Sequence, residues 1–149
     1  MMSAPAATHA STQTERQLST SGIWKGAAAG AAAAAVGNAI LYFAASAGGV
    51  SMVGEFMRGQ PPVEMPFPPV IFSAIVPAIG AAGLATALNR WLASPAKVFL
   101  GISIAFGLFS MGGPATIAGA STGLRVVLAV MHVVAGVAIA GGILRYGRR

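Results

Sequence analysis

The chain has 149 residues, of which 56% are hydrophobic and 8% are charged, and its mean hydropathy is +0.76. This composition excludes an ordinary water-soluble domain, in which about a quarter of the residues are charged. The net charge of +6 comes from basic residues that flank apolar stretches, so it indicates membrane topology and not nucleic-acid binding. Cysteine is absent, which excludes disulfides, thiolate metal sites and cysteine nucleophiles.

Four stretches contain no charged residue: 26–54, 65–89, 98–124 and 126–144. A helix needs about 20 mostly apolar residues to cross roughly 30 Å of hydrocarbon, and each stretch reaches or nearly reaches that length. We therefore predict an all-α polytopic membrane protein whose four transmembrane helices form a small bundle.

The chain divides into a polar tail and one membrane domain. Residues 1–22 are rich in Ala, Ser, Thr and Gln, and they have too little apolar surface to offset the entropy of ordering, so we predict a disordered tail. Residues 23–149 are predicted to form the four-helix transmembrane domain. The expected spans are about 24–47, 69–88, 98–113 and 124–144, with a loop at 48–68.

The loop and the third span carry local signals of their own. Met52, Val53, Phe56 and Met57 recur at helical spacing within the loop, which predicts a short helix on the membrane surface. The third span is short, because a Gly-Gly-Pro run at 112–114 stops it unless the chain continues at an angle. Ser121 or Thr122 is the expected cap of the fourth helix.

Small residues spaced by four let transmembrane helices approach closely, so they predict contact faces. Three spans contain such lines. The first has Gly26, Gly30, Ala34 and Asn38, the second has Ala74, Ala78 and Ala82, and the fourth has His132, Gly136 and Ala140.

The basic residues predict the orientation. In a four-span arrangement Arg58 and Arg125 lie on one side and the other Lys and Arg residues lie on the opposite side. By the positive-inside rule, both termini are predicted to be cytoplasmic and the loop 48–68 external. The side with more charge holds Arg16, Lys25, Arg90, Lys97, Arg145, Arg148 and Arg149.

Two strongly polar side chains, Asn38 and His132, lie within apolar spans. At 1.5 Å per residue, both are expected roughly 12 to 14 Å below the external boundary. Pro77 falls at a similar depth and leaves the carbonyl of Ser73 without its usual donor. These four residues predict a polar intramembrane cluster, with direct or one-water contact between Asn38 and His132. It serves either as interhelical glue or, because hydrocarbon penalises an ionisable group, as a site of proton transfer or ligand contact.

Catalytic and cofactor signals are missing from the sequence. It contains no Asp, no HExxH, no GxSxG, no P-loop and no dinucleotide fingerprint, so no enzyme activity, catalytic residue or metal site is predicted. A single His within a span supplies one axial ligand only, so haem is not expected, and no other cofactor is predicted.

Several short motifs lie along residues 24–145. They are Trp24 and Gly30 before Asn38-Ala39-Ile40-Leu41-Tyr42, Pro69-Val70-Ile71 with Ser73 and Pro77, Arg90 before Pro95-Ala96, and Met131-His132. With these motifs the chain resembles a bacterial family of four-helix integral membrane proteins, common in actinobacteria and grouped as a domain of unknown function (number 6069). The resemblance implies a four-span protein of the bacterial cytoplasmic membrane and implies no activity.

Together these patterns predict a multi-pass protein of the bacterial inner membrane that is not an enzyme. It is expected to act as an accessory subunit or as a small-molecule binder, with the lipid bilayer as its first partner and a second copy or another membrane protein as a further one. The alternative is a small transporter or channel in which Asn38 and His132 line a polar path. A lipid-modifying or quinone-linked enzyme would require a partner or a cofactor.

Overall fold

The computed structural model describes residues 17–148. Six helices and one two-stranded sheet make up this part of the chain. In chain order, the elements are α1 (Thr20–Ala47), β1 (Val53–Gly54), β2 (Val63–Glu64), α2 (Phe67–Phe72), α3 (Ile75–Trp91), α4 (Pro95–Ser110), α5 (Gly112–Ala115) and α6 (Thr122–Gly147).

Four helical stretches are long and apolar enough to cross a membrane, which confirms the predicted four-span architecture. The first is α1, the second is α2 with α3, the third is α4 with α5, and the fourth is α6. The third reaches Ala115 because the chain turns at Met111 and continues as α5. Ser121 caps α6, since its hydroxyl accepts a hydrogen bond from the amide of Leu124 at 3.1 Å.

Helices α1 and α6 pack backbone against backbone. A Cβ atom added at Gly26 would overlap the carbonyl of Gly142, and one added at Gly30 would lie 2.7 Å from the Cα of Ile139. Gly26, Gly30, Ala34 and Asn38 are all buried, so the predicted contact face of the first span is confirmed. In hydrocarbon this close approach matters, because dispersion and not the hydrophobic effect holds helices together.

The predicted contact face of the fourth span is wrong at two of its three residues. His132 is exposed, and a Cβ at Gly136 would meet no atom within 4 Å, whereas Ala140 is partly buried against the core. The buried side chains of α6 include Ile139 and Ile143, which are large. A rule based on small residues alone therefore missed most of the buried face.

Helix α3 closes the half of the bundle that holds the chain termini, which we call the termini end. Ala78, Ala82 and Ala85 are buried there, beside Ile23 and Phe99. Ala74 is buried as well, so the predicted face of the second span is confirmed.

The opposite half, the hairpin end, has a core rich in methionine, made by Met52, Met65, Val70, Leu124 and Met131. In this half the predicted surface helix is wrong, because the loop forms a β-hairpin in which β1 and β2 pair antiparallel. Burial alternates with the two-residue period of a strand, because Met52 is buried, Val53 is exposed and Gly54 is buried.

The segment before α1 is tied to the termini end. The side chain of Asn89 accepts from the amide of Leu18 and donates to its carbonyl, both at 2.7 Å. The amide of Ser19 donates to the carbonyl of Gly147, also at 2.7 Å. Leu18 is buried, and α1 begins at Thr20, earlier than the span boundary expected from the sequence. Most of the predicted disordered tail, residues 1–16, lies outside the described residues.

Candidate functional site

His132 lies on α6 and is exposed. It is ten residues past the first residue of the helix, which places it about 15 Å along the axis at 1.5 Å per residue. Its Nδ1 atom lies 2.8 Å from the carbonyl oxygen of Leu128, one turn earlier on the same helix. A titratable ring therefore lies within an apolar span and is oriented by its own backbone.

A groove of about 320 Å³ lies beside this ring, and we call it the His132 groove. Residues of the hairpin loop, of α5 and its following turn, and of α6 form its walls. His132 supplies the only titratable side chain among the lining residues. These are Phe56, Met65, Gly113, Pro114, Ile117, Leu128 and His132.

The short helix α5 creates the open volume of the groove. Pro114 is buried, while Gly112 and Gly113 have no side chains, and a Cβ added at either glycine would meet nothing within 4 Å. The hydroxyl of Thr116 donates to the carbonyls of both glycines, at 3.0 and 3.1 Å. Hydrogen bonds therefore fix this turn, and the groove wall that it forms has no side chain at Gly113.

The hairpin wall is fixed by backbone and side-chain hydrogen bonds. The amide of Met65 donates to the carbonyl of Met52 at 2.9 Å, and the hydroxyl of Tyr42 donates to the carbonyl of Met65 at 3.0 Å. On the other edge, the amide of Glu55 donates to the carbonyl of Ala118 at 2.9 Å. Consequently α1, the hairpin and the segment before α6 hold the groove together.

Asn38 lies in the core and not in the groove. Its side chain is only 4% exposed, and among the described residues its Oδ1 atom is buried without a hydrogen-bond partner. A Cβ at the preceding residue, Gly37, would lie 2.9 Å from Cγ1 of Val134, which places Asn38 near the level of His132. The two residues share a depth but differ in environment.

Ser73 and Pro77 lie at the break between α2 and α3. The hydroxyl of Ser73 donates to the carbonyl of Val70 at 3.0 Å, and Pro77, in the first turn of α3, is exposed. Within residues 17–148 no hydrogen bond joins Asn38 to Ser73 or to His132. The structure thus does not join these residues directly, and a water-bridged cluster stays a prediction.

Charged groups lie at the ends of the helices. Arg125 donates from Nη2 to the carbonyl of Ile117 at 3.1 Å, and Glu55 accepts from the amide of Gly59 at 2.6 Å through Oε1. No group of three or more potential metal ligands occurs in the described part of the chain.

Sequence reasoning overlooked the role of Asn89. A polar residue near the end of a span is ordinarily solvated by water or headgroups, whereas the amide group of Asn89 binds the backbone of Leu18. No local signal distinguishes these two cases, because the partner is 71 residues away.

Four helices that are long and apolar enough to cross a membrane define a multi-pass integral membrane protein. Its family follows from the sequence. Residues 18–149 match the profile of a family of unknown function, DUF6069, and the chain belongs to this family, as its motifs had indicated. No curated protein and no solved structure matches the chain.

Proposed function

We propose that the protein is a non-enzymatic membrane protein that binds a small lipophilic molecule in the His132 groove. The observation that supports this proposal is the exposure of a titratable side chain inside an apolar span, at the wall of an open groove. Ligand sites typically have mostly apolar walls with a few placed polar groups, and volumes of roughly 300–1,000 Å³. The groove is at the lower end of that range, so it would hold a head group while an apolar tail remains in the bilayer.

The hydrogen bond of His132 argues against a packing role for this side chain. Interhelical glue requires a polar side chain to bond to a neighbouring helix, whereas the hydrogen bond of His132 goes to Leu128 of its own helix. An ionisable group in hydrocarbon that does not hold helices together is by default a functional candidate.

The transporter hypothesis has less support. Backbone atoms close the contact between α1 and α6 at Gly26 and Gly142, so no polar path runs between these two helices at that level. Neither the His132 groove nor the smaller apolar groove between α1 and α3 is lined by Asn38. Binding from the lipid side is the simpler use of this geometry.

An accessory-subunit role is the second candidate, and the exposure of α4 favours it. Phe106, Leu108 and Phe109 are 64%, 72% and 83% exposed, so this helix offers a broad apolar surface to lipid or to another membrane protein. Purification in mild detergent from cells with native expression tests this role. A stoichiometric partner that is lost after Phe109→Ala would support it.

We place the termini end in the cytoplasm of a bacterial inner membrane, so the His132 groove opens towards the external leaflet. The support is the distribution of charge. Exposed cations at the termini end exceed those at the hairpin end, where Arg58 and Arg125 lie. The described cations at the termini end are Lys25, Arg90, Lys97, Arg145 and Arg148.

Photolabelling in lipid nanodiscs tests the binding function. A diazirine-bearing alkylphenol should label peptides that contain Ile117 or Leu128, and Gly113→Leu should reduce this labelling because the new side chain fills the groove. Gly112→Leu is the matched control, since that residue also has free space around its Cβ but does not line the groove. Equal labelling of the wild type and both variants would refute the proposed function.

A further inference from the structure

We infer that the His132 groove selects a hydrogen-bond donor: its ligand is a lipophilic alcohol or phenol whose O–H group donates to Nε2 of His132. This inference rests on the proposed function and specifies the chemistry of the same groove. Three features support it: the tautomer of the ring, the polar groups already occupied around it, and its apolar surroundings.

The hydrogen bond to Leu128 fixes the tautomer of the ring. A carbonyl oxygen can only accept, so the Nδ1 atom that lies 2.8 Å from it carries the proton. In a neutral imidazole one nitrogen donates and the other accepts, which makes Nε2 an acceptor. Nε2 is separated from Nδ1 by the ring carbon Cε1, so it takes no part in this bond. The exposed ring forms part of the groove wall.

Four backbone carbonyls around the groove already accept hydrogen bonds from side chains. The carbonyls of Gly112 and Gly113 accept from the hydroxyl of Thr116, and the carbonyl of Ile117 accepts from Arg125. The carbonyl of Met65 accepts from the hydroxyl of Tyr42. The lining side chains supply no O–H or N–H donor that is free in this tautomer, so a ketone or an ether gains no hydrogen bond from them, whereas an alcohol or phenol can donate to Nε2.

Apolar surroundings turn this difference into selectivity. A ligand hydroxyl that leaves water without a new acceptor loses its hydration, and a hydroxyl that reaches Nε2 recovers a hydrogen bond. The net free energy of one neutral hydrogen bond corresponds to an affinity roughly three- to tenfold higher for the ligand that forms it than for the ligand that cannot. That preference should appear between a phenol and its methyl ether, which share the same ring and chain.

Competition against the photolabel measures this preference. In nanodiscs, 3-pentadecylphenol should displace the diazirine-bearing alkylphenol roughly three to ten times more effectively than 3-pentadecylanisole, its methyl ether. In His132→Phe, which keeps a ring but removes the acceptor, the two competitors should be equal. Because His132 is exposed, this variant should fold, and thermal unfolding in detergent checks that it does.

The outcomes separate the inference from the proposed function. If both competitors displace the label equally in the wild-type protein, or if the ether is preferred, the groove binds lipophiles but the donor selectivity is refuted. A phenol preference that persists in His132→Phe refutes the role of Nε2. If neither competitor displaces the label, both the inference and the proposed function fail.

The tautomer has a direct spectroscopic readout. In His9→Asn, with a purification tag that contains no histidine, His132 is the only histidine, so ¹⁵N NMR of its ring reports one residue. We expect the Nδ1-protonated form, with an Nε2 resonance that shifts when 3-pentadecylphenol is added and stays in place with 3-pentadecylanisole. A ring protonated on Nε2 in the free protein would refute the inference.

Discussion

Gly26 on α1 and Gly142 on α6 lie so close that neither can carry a side chain. A Cβ atom added at either residue would overlap the carbonyl oxygen of the other. The relationship is reciprocal, so the two backbones are in contact at this level. This contact positions α6, and with it His132, relative to the rest of the bundle.

Gly142→Ala should destabilise the protein, because the methyl group meets backbone that cannot move independently. Overpacking of this kind costs typically about 1–3 kcal/mol. Gly141→Ala is the matched control, since its Cβ would meet nothing within 4 Å and alanine favours the helix. Thermal unfolding in detergent should show a lower midpoint for the first variant only. Equal midpoints would contradict the packing described for α1 and α6.

Asn38→Leu should leave the free energy of unfolding unchanged or increase it. The side chain is buried and its Oδ1 atom has no partner within residues 17–148, so the substitution removes an unsatisfied group of similar size. An unsatisfied buried group costs about 1–3 kcal/mol. Chemical unfolding in detergent measures the change. A large loss of stability would instead support the water-bridged cluster predicted from the sequence.

Asn89→Ala should release the segment before α1 from the termini end. The substitution removes both hydrogen bonds to the backbone of Leu18, each with a net value of about 0.5–1.5 kcal/mol. Hydrogen exchange at the amide of Leu18 should accelerate. Thr86→Val is the control, because the hydroxyl of Thr86 bonds within its own helix to the carbonyl of Ala82. Faster exchange in the control as well would indicate a general loss of stability.

His132→Ala should leave the melting temperature nearly unchanged and weaken photolabelling of the His132 groove roughly three- to tenfold, the contribution of one neutral hydrogen bond. The lost hydrogen bond is local to α6, and the ring is exposed. Surface substitutions of this kind change stability by about 0.5 kcal/mol or less. A substantially lower melting temperature would show that the ring contributes to packing, as the glue interpretation requires.

Single cysteines test the proposed orientation, because the chain contains none of its own. Gln60→Cys in the hairpin loop should react with a membrane-impermeant maleimide added to intact cells. Ala93→Cys, between α3 and α4, should react only after the cells are lysed. Both positions are exposed, so accessibility in the folded protein is matched. The reverse pattern of labelling would overturn the assignment of the termini end to the cytoplasm.

The sequence predicted the spans because charge is excluded from hydrocarbon, and that constraint acts along the chain. It also placed Gly26, Gly30 and Asn38 on one buried face, since spacing by four selects one side of a helix. The sequence-based prediction failed for the loop. The spacing of Met52 and Phe56 indicated a helix, whereas the chain there pairs with a strand further along the same loop.

The candidate site was predicted only in part. The sequence identified His132 and its depth, whereas the groove around it depends on the hairpin, α5 and α6, which come together only in the folded chain. The rotation of α6 decided that His132 faces the groove, and the rotation of α1 decided that Asn38 lies in the core. A rotation of about 100° per residue separates neighbours on a helix, so depth alone cannot assign a face.

By itself, the amino-acid sequence determined that this protein has four membrane spans. Hydrocarbon excludes charged side chains from stretches of about 20 residues, and this constraint can be read directly along the chain. Only the tertiary structure decided which surfaces meet. Contacts between Gly26 and Gly142, or between Leu18 and Asn89, join residues far apart in the chain. Their formation depends on shape and hydrogen-bond geometry, and these properties exist only once the helices have packed.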